Sequence, residues 1–147
     1  MIGIESKFTE LLEPKLPNTN LEKYLSKDLK LPEGFNEVLK YYLNCKEKLH
    51  LDAAQLLKHM IGLLMEKFNS NIKTTNLIYL YWVPLNWRDI DIYQKHEEEI
   101  NIFKAKTFGF LLPVNAYSYV EFLNMLEKNK KTENIVKKLK ERYLFEI

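Results

Sequence analysis

The chain has 147 residues, of which 46% are hydrophobic and 13% aromatic, a composition that excludes a disordered chain. Its 22 basic and 20 acidic residues leave a net charge of +2, which does not by itself indicate a nucleic-acid-binding protein. No apolar run reaches the roughly 18 residues of a membrane span, and the N-terminus lacks the layout of a signal peptide. The single cysteine, Cys45, cannot form an internal disulfide, so we expect a soluble cytoplasmic protein without a membrane partner.

The first segment, residues 2–8, alternates in a way that is typical of a β-strand. Successive side chains of a strand point to opposite faces, so its two isoleucines share a face with Ser6. Glu5 and Lys7 then stand together on the other face. A carboxylate and an ammonium two positions apart suit a site that holds a divalent metal beside a phosphate. The alternative is that this pair is the solvated side of an edge strand.

Prolines interrupt the chain between residues 13 and 34, so only one short helix is predicted there, at 21–26. Helical spacing of apolar residues predicts a helix at 35–43 and a longer one at 51–68. Asp52 is the expected N-cap of the longer helix.

Residues 76–83 are nearly all apolar or aromatic and end at Pro84, which is typical of a buried central strand. Its two tyrosines and Trp82, together with Trp87 beyond it, could alternatively form a base-stacking platform. The rest of the chain is predicted to contain a helix at 89–104, a strand at 108–112 and helices at 115–127 and 132–143. Strands that alternate with helices predict the α/β class: one domain, 1–147, with a small mixed sheet of about three strands flanked by helices.

The sequence around the charged pair resembles a nuclease signature. Residues 3–10, Gly-Ile-Glu-Ser-Lys-Phe-Thr-Glu, are similar to the second half of the signature of the PD-(D/E)XK nucleases, the restriction-endonuclease-like superfamily. Residues 55–59, Gln-Leu-Leu-Lys-His, resemble the Gln-centred helical motif of some of its branches. Residues 76–84 and the following helix, which carries His96, resemble a strand–helix unit of uncharacterised bacterial members.

The resemblance implies an activity and a set of site residues. Glu5 and Lys7 match catalytic residues of the family, with Glu5 as a metal ligand and Lys7 positioning the water or stabilising the transition state. The main-chain carbonyl of Ser6 would also hold the metal, Mg²⁺ or Mn²⁺, and Gln55 would lie near the scissile phosphate. The implied reaction is hydrolysis of DNA phosphodiester bonds, with DNA as the partner.

The expected site has two candidate accessory residues and departs from the family pattern at one position. Glu10 follows the strand, and His59 lies one helical turn from Gln55, so both are candidate accessory groups. The family's first metal-binding Asp lies upstream of the position matching Glu5, and no acidic residue precedes Glu5 here.

We therefore expect a truncated nuclease core that lacks the N-terminal helix and strands and is inactive alone. Its uncovered apolar surface and sheet edge would favour homo-oligomers. The alternatives are a non-catalytic nucleic-acid or protein interaction module, and a structural α/β protein in which the Glu5–Lys7 pair is accidental.

Overall fold

The computed structural model of the chain describes residues 1–18, 20–25, 29 and 31–147. Its main elements are β1 (Ile2–Lys7), α1 (Phe35–Asn44), α2 (Ala53–Asn69), β2 (Asn76–Tyr81), α3 (Asp91–Thr107), β3 (Val114–Ser118), α4 (Tyr119–Glu127) and α5 (Glu133–Tyr143). Short 3₁₀ turns lie at Glu10–Leu12, Glu22–Leu25 and Trp87–Asp89. Within these described ranges, no helix has both the length and the apolar character needed to span a membrane.

The strands form one sheet in the order β1-β2-β3, with β2 in the centre. Both pairings are parallel, and their register places Glu5 beside Tyr79 and Lys7 beside Tyr81. Parallel neighbours need long crossover connections, which the helical segments between the strands supply. The predicted α/β class and three-stranded sheet are confirmed, and the pairing is parallel where a mixed sheet was expected.

The helices before β2 follow the sequence closely. Helix α2 begins after Asp52, whose carboxylate accepts the Gln55 N–H at 3.0 Å, as expected of the predicted N-cap. The short helix predicted at 21–26 is a 3₁₀ turn at Glu22–Leu25, and position 26 lies outside the described residues.

The third strand lies later in the chain than predicted. Residues 108–112 form turns and bends in which Gly109 has a φ of 86°, so the predicted strand there is wrong. The pairing with β2 begins at β3, and the helix predicted from 115 begins only at Tyr119. Ser118 fixes that start: its hydroxyl accepts the Glu121 N–H at 3.2 Å, and the Glu121 carboxylate accepts the Ser118 N–H at 2.8 Å.

We define the covered face of the sheet as the one on which α2 and α3 pack. It includes Leu77, Tyr79 and Tyr81 of β2, which are all buried. Trp82, just after β2, is buried as well. The central strand is therefore a buried core strand, and these three aromatic residues do not form a base-stacking platform.

We define the open face as the opposite side of β1 and its neighbourhood. Ile2 and Ile4 point to this face and are 61% and 62% exposed. In the part of the chain that the structure describes, no strand pairs with the outer edge of β1. The open face therefore combines exposed apolar side chains with unpaired main-chain groups.

Candidate functional site

Polar side chains from β1 and α2 meet on the covered face of the sheet. Glu5 Oε1 lies 3.1 Å from Lys7 Nζ, and Lys7 Nζ donates to Gln55 Oε1 at 3.1 Å. The other carboxylate oxygen of Glu5, Oε2, lies 2.8 Å from His59 Nε2. The four residues therefore form a continuous chain of charged and polar contacts, which we call the Glu5–Gln55 site.

The site depends on two regular spacings and one close packing contact. Strand alternation places Glu5 and Lys7 on the same face, and helical spacing places Gln55 and His59 on the same side of α2. A Cβ atom at Gly3 would lie 2.8 Å from Leu63 Cδ1, closer than side-chain atoms normally approach. Leu63 of α2 therefore packs directly against Gly3, and a larger residue at position 3 would require the Leu63 side chain to move.

The charged pair is largely shielded from water. The Glu5 and Lys7 side chains are 12% and 13% exposed, whereas His59 is 44% exposed at the mouth of the site. Attraction between charges is stronger where water is excluded, and an unpartnered charge there would be costly. The pair is therefore not the solvated side of an edge strand, and it lies beside the Gln55 stripe rather than far from it.

Only the main chain of Ser6 belongs to this region. The Trp82 N–H donates to the Lys7 carbonyl at 3.0 Å, so that carbonyl points towards β2. Because carbonyls alternate along a strand, the Ser6 carbonyl points to the outer edge of β1. The Ser6 hydroxyl lies on the open face, 2.7 Å from the Tyr119 hydroxyl. The Ser6 side chain is therefore not a candidate ligand, and its carbonyl, free of β2, is the one that the resemblance implies.

Glu10 lies near Lys7 but outside the chain of contacts. Its carboxylate accepts the Phe8 N–H at 2.8 Å. Hydrogen bonds from the main-chain N–H groups of Glu10 and Phe8 hold the pKa of the Glu10 carboxyl below its ordinary value. Glu10 also lines a small cavity together with Lys7, His50 and Asp52. It is therefore an acid near Lys7 whose carboxylate is already engaged by the main chain.

An uncharged pair lies beside the site on the covered face. The Tyr79 hydroxyl and His96 Nε2 are 2.9 Å apart and buried. Burial raises the pKa of Tyr79, and burial, followed by the neighbouring His50, lowers the pKa of His96 to about 4. Tyr79 pairs with Glu5 across the two strands, so the neighbour of Glu5 on this face is an uncharged side chain. The sequence placed His96 on a helix but did not indicate this contact.

Two groups of this region are oxygen donors that could bind Mg²⁺. Mg²⁺ favours octahedral oxygen coordination from one or two carboxylates together with waters and phosphate oxygens. The Glu5 carboxylate and the Ser6 carbonyl are oxygen donors of this kind. Among the residues with described positions, no three His, Cys, Asp or Glu side chains are grouped to hold a metal ion. The remaining positions would therefore belong to waters, a phosphate and a further acid.

Comparison with known proteins gives no match, because no protein-family model, no curated protein and no solved structure matches the chain.

Proposed function

We propose that the chain carries the Glu–Lys part of a metal-dependent nuclease site that acts on DNA phosphodiester bonds. The observation that supports this is the meeting of Lys7 with Gln55 at 3.1 Å. These residues belong to two motifs that are far apart in the sequence and that resemble the same nuclease family. An accidental Glu5–Lys7 pair gives no reason for the second motif to lie beside it.

In this proposal each residue has a definite task. The Glu5 carboxylate and Ser6 carbonyl would hold Mg²⁺ or Mn²⁺, which when bound would supply positive charge at the phosphate. Lys7 is held between Glu5 and Gln55, so its ammonium would orient a water molecule or stabilise negative charge as it develops. His59 would act from the mouth of the site as an accessory group.

The proposed activity of the chain alone is weak. One carboxylate leaves a Mg²⁺ site short of protein ligands, and the Glu10 carboxylate accepts the Phe8 N–H rather than joining the contacts of the Glu5–Gln55 site. A further acid is therefore needed for efficient cleavage. The same shortage favours the second candidate function, a non-catalytic module that binds nucleic acid or another protein through this surface. For either function we propose a cytoplasmic location, because Cys45 has no second cysteine with which to pair.

A calorimetric titration with Mn²⁺ tests the metal site. We expect the native chain to bind Mn²⁺ and the Glu5→Gln variant to lose that binding, because the substitution removes the only carboxylate of the Glu5–Gln55 site. Glu98→Gln, on the exposed surface of α3, is the matched control and should leave the titration unchanged. Absence of heat from the folded native chain, or equal heat from Glu5→Gln, would favour the interaction module.

A cleavage assay tests the role of Lys7. At high protein concentration with Mn²⁺, we expect slow nicking of supercoiled plasmid by the native chain and none by Lys7→Ala. The control is Lys104→Ala, which removes an exposed ammonium from α3. Undiminished nicking by folded Lys7→Ala would exclude Lys7 from the reaction.

A further inference from the structure

An open groove of about 500 Å³ adjoins the Glu5–Gln55 site along the first turns of α2. Two of its lining residues, Gln55 and His59, belong to the site itself. Lys15 and Lys58 also line the groove and add two ammonium groups to it. The groove is thus a continuation of the site with a cationic lining.

The charges of the groove are not neutralised within the described residues. Neither Lys15 nor Lys58 has a carboxylate within salt-bridge distance in the ranges that the structure describes. The groove contains one acid, Asp52, whose carboxylate already accepts the Gln55 N–H as the helix cap. The two ammonium groups are therefore available to an anion.

Both lysines are attached to fixed main chain. Lys15 exchanges two hydrogen bonds with Leu49, each of 2.8 Å, which hold the segment after β1 against the segment before α2. Lys58 lies on α2 between Gln55 and His59, one helical turn from Gln55. The cationic lining is therefore set by the fold rather than by two mobile surface segments.

We propose that this groove binds a backbone phosphate next to the phosphate held at the Glu5–Gln55 site. This inference rests on the proposed function and extends it, because a second phosphate position makes the substrate a polynucleotide rather than an isolated phosphate ester. Lysine contacts to phosphates do not read bases, so the groove anchors the strand without sequence preference. The strand passes from Lys7 along α2 towards Lys58 and Lys15.

Fluorescence anisotropy with a labelled DNA oligonucleotide in EDTA tests the groove. We expect Lys15→Ala/Lys58→Ala to weaken binding about tenfold at low salt. Because one phosphate is lost, the slope of log K against log salt should fall by roughly 0.7–0.9. The matched control, Lys95→Ala/Lys104→Ala, removes the same charge from the exposed surface of α3 and should change affinity by less than about twofold. Inorganic phosphate at the concentration of DNA phosphate should not compete if two linked phosphates are bound.

The outcomes separate the groove from the metal site. Equal weakening by the two double variants, or no DNA binding by the native chain, overturns the groove proposal, while Glu5-dependent Mn²⁺ binding keeps the nuclease proposal. Competition by inorganic phosphate at that concentration also overturns it, in favour of a single-anion site. Specific weakening by Lys15→Ala/Lys58→Ala without any Mn²⁺ binding supports the groove and rejects the metal site.

Discussion

The two faces of the sheet differ in what packs against them. On the covered face, Glu5 and Lys7 lie against α2 and are mostly shielded from water, although both are charged. On the open face, Ile2 and Ile4 belong to the same strand and are exposed, although both are apolar. In β1 the usual arrangement of apolar residues inside and charged residues outside is therefore reversed.

This reversal indicates that β1 is not organised for stability alone. Burying a charged pair gives little net stabilisation, and exposing two isoleucines gives up apolar burial. Strands that carry both costs are typical of functional sites, where the chemistry of a position outweighs its contribution to folding. The comparison of the two faces thus supports a functional role for the covered side of β1.

Truncation of one side chain on each face should give the largest difference in the free energy of unfolding. We expect Leu77→Ala, in the buried central strand, to lower the free energy of unfolding by about 2–5 kcal/mol. Ile4→Ala, on the open face, should cost less than about 1 kcal/mol because its side chain is already exposed. Urea denaturation of both variants measures this difference, and similar losses would mean that the open face is covered in solution.

The second largest effect should be on the pH dependence of stability, through the buried His96 beside the covered face. The pKa of His96 is about 4 in the folded chain and 6.5 in the unfolded chain, so the unfolded chain binds more protons between these values. Stability should therefore rise as the pH increases from about 4 to 6.5, by at most about 3 kcal/mol. Burial raises the pKa of Glu99, which gives an opposite slope.

His96→Gln separates the two contributions, because it keeps Glu99 and removes the imidazole. Urea denaturation at several pH values should show a smaller rise in stability for this variant than for the native chain. Parallel curves for the two proteins would contradict a neutral, buried His96.

The open face should give the smallest effect, through self-association. Unpaired strand edges beside apolar side chains favour pairing between copies, and charges on such strands oppose it. We expect Ile2→Lys/Ile4→Lys to raise the dissociation constant of any oligomer by about tenfold, or roughly 1.4 kcal/mol. Sedimentation velocity over a concentration series provides the measurement.

Ile135→Lys is the matched control for that experiment, since Ile135 is 61% exposed on α5 and lies away from the sheet edge. A native chain that sediments as a monomer at every concentration would contradict the expectation. The same would hold if Ile135→Lys reduced association as much as the β1 variant.

Most of the fold was predictable where local pattern and final environment agree. β2 is a run of apolar residues in a buried strand, and α2 has both helical spacing and a capping Asp52. β3 was misplaced because its sequence, Val-Asn-Ala-Tyr-Ser, lacks an apolar run, and its extended form depends on pairing with β2. The apolar residues at 108–112 predicted a strand, but Gly109 adopts a turn conformation instead.

The sequence predicted which site residues share a face of each element, but not how the two elements meet. Strand alternation placed Glu5 and Lys7 together, and the helical repeat placed Gln55 with His59. The contact between the strand and the helix includes the packing of Leu63 against Gly3, which local patterns do not specify. Lys15 joins the groove through its pairing with Leu49, a contact between segments that the sequence left unstructured.

Met1 is hydrogen-bonded to the first residue of β2, and Tyr143 to Trp82, the residue that follows the strand. The Met1 carbonyl accepts the Asn76 N–H at 3.1 Å, and the Trp82 indole N–H donates to the Tyr143 carbonyl at 2.6 Å. A force that pulls the two ends apart would drag β1 lengthwise along β2. In that shearing direction the hydrogen bonds between the two strands share the load rather than opening one after another. The parallel pairing that carries the site would therefore bear such a load.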